Sequence, residues 1–156
     1  MQERTKRITY ATGVFLVAVT GASTLSGQSL TTYGTPGLVE MPTAEVMSDG
    51  DFAITASAFG PNYRYTAAFQ VLPRVYGAFR YSKISNISPP TAIYGGDTYD
   101  RSFDIHFQMF DEAKYRPAMA IGLRDFLGTG ILSSEYIVAT KSLGSNIEIT
   151  GGMGWG

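Results

Sequence analysis

Apolar and polar residues alternate strictly over stretches of about ten residues, and the pattern recurs along most of the chain. Residues 99–110 show it most cleanly. Phe103, Ile105, Phe107 and Met109 fall on one side, and Ser102, Asp104, His106 and Gln108 on the other. Side chains of a strand point to opposite faces with a period of two, so such a stretch is a strand with one apolar and one polar face. About ten residues at about 3.3 Å each, tilted by about 40°, rise about 25 Å, which is the height of the apolar band of an outer-membrane barrel.

The same alternation marks 52–59, 63–71, 75–84, 119–123, 136–141 and 147–155, with no apolar period of 3.6 after the first 27 residues. Phe52, Ile54, Ala56 and Ala58 share a face. Tyr63, Tyr65, Ala67, Phe69 and Val71 oppose Arg64, Thr66, Ala68 and Gln70, and Val75, Phe79 and Tyr81 oppose Ala78, Arg80 and Ser82. Short turns at 60–62 and 73–74 demand antiparallel neighbours, because parallel pairs need a crossover of about a dozen residues or more. Residues 85–97, with Pro89-Pro90 and Gly95-Gly96, read as a long loop, which barrels of this kind carry on the outer side. The predicted fold is therefore all-β: an antiparallel up-and-down outer-membrane β-barrel, or an open part of one, with seven strands, or eight if 38–41 joins. Eight is the smallest count for a single-chain bacterial barrel. The chain stops at Trp155-Gly156 at the end of an alternating strand, so it reads as the first part of a longer protein.

Composition narrows the class. Charged residues make up 16%, aromatics 13%, and there are 18 glycines. Mean hydropathy is near zero, as expected when lumen-facing residues dilute the apolar signal. A net charge of −1 leaves no basic footprint for nucleic acid. With no cysteine the chain has no disulfide, thiol nucleophile or thiolate metal site. Residues 1–27 read as an export signal: Arg4, Lys6 and Arg7, then the apolar run VFLVAV at 14–19, then small polar residues to Gly27. The run is far below the ~20 residues of a spanning helix. Removing the signal takes away three basic residues and one acidic one, which leaves nine basic and twelve acidic. Residues 28–51 form a turn-rich lead-in, and 52–156 the barrel segment.

Alternation alone does not say which face is inside, and a soluble periplasmic calyx would put the Phe/Ile face at its centre. Three features favour the membrane: the export signal, a polar face poor in Lys and Glu, and Tyr63, Tyr65, Tyr81, Tyr136 and Trp155 near strand ends, where interfacial girdles lie. The polar face gathers Arg64, Arg80, Asp104, Arg124, Lys141 and Glu148. Such residues can form a paired structural network, or a lumen that meets acidic sugars through bidentate arginines. Lumen- or polysaccharide-facing candidates are Arg64, Arg80, Asp104, His106 and Arg124. His106 is the only histidine, so no zinc site is expected, and it reads as a hydrated lumen residue. Asp125 reads as a turn cap. No catalytic, cofactor or metal signature is present, and the chain is not expected to be an enzyme.

Several stretches resemble the YjbH family of outer-membrane proteins tied to exopolysaccharide or capsule production. They are YGTPGLVEMPTA at 33–44, DGDF at 49–52, YDRSFDIHF at 99–107, AIGLRDFLGTGILSSEYIVATKSLG at 120–144 and GGMGWG at 151–156. The resemblance implies an outer-membrane β-barrel that acts in polysaccharide secretion, with outer-membrane lipid, exopolysaccharide and other secretion proteins as partners and no catalytic residues to carry over. Members are much longer than this chain. Some are lipoproteins, a route closed to a chain without cysteine. A general porin-like channel for small solutes, and a soluble periplasmic β-calyx, are the alternative functions.

Overall fold

The computed structural model describes residues 29–87, 96–144 and 147–156. The proposed export signal lies outside them. Nine strands occur among the described residues, and no helix there is long and apolar enough to cross a membrane. A two-stranded hairpin, β1 (Gly37–Leu38) with β2 (Met41–Pro42), sits in the lead-in. The other seven build one antiparallel sheet in strict chain order: β3 (Phe52–Phe59), β4 (Asn62–Leu72), β5 (Val75–Ile87), β6 (Gly96–Phe110), β7 (Ala118–Arg124), β8 (Ser134–Leu143) and β9 (Ile147–Trp155). The sheet is an open half-barrel whose edges are β3 and β9.

Two boundaries differ from the sequence reading. The 38–41 stretch is no eighth strand of the sheet but the centre of the separate β1–β2 hairpin. The segment read as a loop over 85–97 is shorter, because β5 and β6 keep pairing to Ile87 and Gly96 across a register shift. Residues such as Ser85 and Thr98 are compatible with a ladder, and the turn signals Pro89-Pro90 lie outside the described residues.

The apolar face of the sheet is its exposed face. On β6, Phe103, Ile105 and Phe107 are 44%, 37% and 43% exposed, whereas Ser102, Asp104 and His106 are 0%, 7% and 1% exposed. Neighbouring strands follow in register. Phe52 pairs with Phe69, Phe79 with Phe103, and Phe107 with Ile121, all outward. Tyr63, Tyr65, Tyr81 and Tyr99 lie outward near one end of the sheet, with Tyr81 stacked on Tyr99. Two expected positions change. Tyr136 faces inward rather than joining the girdle, and Lys141 alternates with the outward Ile137 and Ala139 and pairs with Glu112 at the β6–β7 turn.

The inner face is covered by residues 29–51, which cross it from β3 and β4 to β8. Ser57 donates to the Thr32 carbonyl. Further along, Ala44 N–H donates to Thr140 Oγ1 (2.9 Å), and Gln108 Nε2 donates to the Ala44 carbonyl (2.9 Å). Small apolar clusters fill the rest: Ala44 with Ala118, Ala120 and Val138, and Met47 with Ala68, Tyr76 and Ala78. Gly34 explains why the crossing can be so close. It has φ +78°, and a Cβ there would collide with Thr55 Oγ1 and lie 2.7 Å from Thr66 Cβ.

Candidate functional site: the inner polar face

All five candidate residues fall on the inner face, because each sits at an inward position of its strand: Arg64 on β4, Arg80 on β5, Asp104 and His106 on β6, and Arg124 at the end of β7. They form two groups that share Arg80, with His106 apart from both. Arg80 and Asp104 form a buried ion pair, with Nη2 donating to both carboxylate oxygens at 2.7 and 2.6 Å, while Nε donates to Ser102 Oγ. Asp104 also accepts from the Asp125 N–H at 2.9 Å. Charges this deep are held only when paired and hydrogen-bonded, and Asp104 satisfies both conditions at once. Asp125 itself closes the β7–β8 loop: its backbone is left-handed (φ +49°), and its Oδ2 accepts from Leu132 N–H. Its reach spans the loop rather than the two residues of an Asx turn. Burial, more than the neighbouring carboxylates Asp100 and Asp104, pushes the Asp125 carboxyl above the ordinary range.

The second group is cationic and aromatic. Three guanidiniums surround the Tyr33 ring, Arg64 at 4.2 Å, Arg124 at 4.7 Å and Arg80 at 4.8 Å from its centroid. A cation over an aromatic face is attracted by the ring quadrupole. Glu40 supplies the nearby negative charge: its carboxylate lies 3.8 Å from Arg64, and its carbonyl accepts from Arg124 at 3.4 Å.

His106 is buried, 1% exposed. Its ring stacks on Tyr76 at 4.5 Å, and its Nδ1 shares a 2.9 Å hydrogen bond with the Tyr136 hydroxyl. That bond crosses β7 at Gly122, the residue between His106 and Tyr136 in the ladder, where a Cβ would strike the phenol. The missing side chain on β7 is what lets two strands that are not neighbours touch.

The lead-in was legible as turn-rich, yet its role on this face was not. The signal available was charge: residues 28–51 contain Glu40, Glu45, Asp49 and Asp51 but no lysine or arginine, opposite a face carrying three arginines. Among the described residues no group of His, Asp and Glu could hold a metal ion.

The profile of one protein family, YjbH, described as "Exopolysaccharide biosynthesis protein YbjH", matches residues 29–156. Over 133 residues the chain is 32% identical to the "Uncharacterized lipoprotein YjbH" of Escherichia coli (strain K12). The match covers 83% of this chain and 19% of that protein, so the chain spans about a fifth of the relative's length. No solved structure shows significant similarity.

Proposed function

The chain belongs to the YjbH family of exopolysaccharide biosynthesis proteins, and from that premise we propose that it is part of an outer-membrane β-barrel that helps secrete or assemble an exopolysaccharide without itself catalysing a reaction. One observation carries the reading: the half-barrel turns Phe79, Phe103, Ile105, Phe107, Tyr63 and Tyr81 outward and buries Arg80, Asp104 and His106. In water that arrangement leaves a large apolar surface unsatisfied, whereas lipid tails match it. Lipid offers no hydrogen bonds, so the open edges of β3 and β9 then need further strands to close the sheet. The relative's designation as a lipoprotein fits a membrane-associated family, though this chain has no cysteine to lipidate.

The lead-in weighs against the alternative of an open small-solute channel, since it covers the polar face that would line the pore. Deleting the gene is the direct test. Surface polysaccharide falls if the reading is right, and an unchanged polymer would sink it. Planar-bilayer recording of the full-length protein separates the channel: a steady conductance with no polymer phenotype favours the porin.

A further inference from the structure

We propose that Arg64, Arg80 and Arg124 form a binding cradle for a carboxylate-bearing sugar polymer, and that Tyr33 and Glu40 of the lead-in occupy it as internal stand-ins. The inference deepens the secretion reading and rests on it for the class of ligand. Guanidiniums recognise carboxylates through a planar fork of donors, and cations pack on flat rings. Tyr33 presents a six-membered ring, and Glu40 a carboxylate, in the places a uronate residue would fill. The fit of the stand-ins is incomplete in two ways. Arg80 is almost fully buried, yet its Nη1 has no hydrogen-bond partner, and that guanidinium faces Tyr33, a ring able to offer it only a π-face. The Arg64–Glu40 contact is long at 3.8 Å, with the Glu40 side chain 63% exposed. Beside the cradle, a cavity of about 450 Å³ opens between the lead-in and β8–β9, with Glu40, Arg124 and Tyr136 in its wall. A sugar in that cavity reaches both Arg124 and Glu40, and Glu40 lies in the turn between β1 and β2, outside either strand.

The test is direct binding of oligogalacturonate to the full-length protein in detergent, with maltooligosaccharide of equal length as the neutral control. Tyr33→Ala with Glu40→Gln empties the cradle, and affinity for oligogalacturonate is expected to rise about tenfold, with no change for the neutral sugar. Arg124→Gln is expected to lower it about tenfold. Arg124 has no buried carboxylate partner, so its loss leaves no uncompensated charge, and the variant should keep the heat-modifiable mobility of a folded barrel. Arg64→Gln serves as the second variant should Arg124→Gln lose that mobility. Equal binding of acidic and neutral sugars, or no gain when Tyr33 and Glu40 are replaced, overturns the cradle. A missing polymer phenotype on gene deletion overturns the secretion role instead and leaves these binding results standing.

Discussion

At the scale of single residues, the inner face is held by a buried ion pair as well as by small apolar clusters. Asp104 is the centre of it: it takes two hydrogen bonds from Arg80 and one from the Asp125 N–H. Asp104→Ala removes all three and leaves the buried Arg80 guanidinium with Ser102 as its remaining hydrogen-bond partner and no counter-charge, so a loss of about 3–5 kcal/mol is expected in urea unfolding from detergent. Replacing both members, Arg80→Met with Asp104→Leu, removes the uncompensated charge, and most of that stability should return. A double variant as unstable as Asp104→Ala would mean that the network matters for more than mutual neutralisation. The alternation revealed that these residues share a face. It could not reveal which arginine takes Asp104. Arg80 does so from one strand away, while Arg64 and Arg124 turn to Tyr33, a choice set by a lead-in that no strand period describes.

Among the elements, strands were legible and the lead-in was not, for one physical reason. A strand sends successive side chains to opposite faces of its sheet, so 52–59 and 147–155 could be read to the residue from their alternation. Residues 29–51 touch a different partner at nearly every position, and their sequence records only the turns. Their attachment should depend on pH. Burial first, and then the charge of Glu148 on β9, raises the Glu45 carboxyl above its ordinary value of 4.5. An acid whose folded value is raised binds its proton more tightly in the folded state, so its contribution is complete below the ordinary value and is lost as pH climbs through the raised one. Glu112 works in the opposite sense. Hydrogen bonds from Lys141 and Ser142 hold it below the ordinary range, so its anchoring of the β6–β7 turn fades as pH falls. These 156 residues contain no cysteine, so Ala44→Cys, at a buried position on the lead-in, gives a single reporter thiol once any cysteine beyond residue 156 is replaced by serine. Its alkylation, normalised to the exposed Val39→Cys, is expected to accelerate from mildly acidic to neutral pH, and Glu45→Gln should flatten that rise. A pH profile unmoved by Glu45→Gln would remove the carboxyl from the attachment.

For the whole molecule, the question is what lies against the outer face, and Trp155, the one tryptophan of these 156 residues, is placed to answer it. Trp155 alternates outward with Met153 near the end of the sheet that also carries Tyr63, Tyr65, Tyr81 and Tyr99, and its Nε1–H donates to Glu135. A ring with an apolar body and one polar group belongs where hydrocarbon meets headgroup. If the proposed membrane reading holds, full-length protein whose tryptophans beyond residue 156 are replaced by phenylalanine will show blue-shifted Trp155 emission in vesicles, quenched most by bromine close to the headgroups. Moving the reporter inward tests depth. Phe103 sits in the middle of β6 against Phe79, so Phe103→Trp in a Trp155→Phe background should be quenched most by bromine near the acyl-chain ends. A calyx with the same alternation would bury residue 103 among protein atoms, and neither reporter would then respond to brominated lipid. The two positions together also exclude a protein merely resting on the bilayer, which would quench Trp155 and spare residue 103. Depth-ordered quenching requires the Phe103 face to run through hydrocarbon, and with that face in lipid, Arg64, Arg80 and Arg124 are left on the side a secreted polymer would have to use.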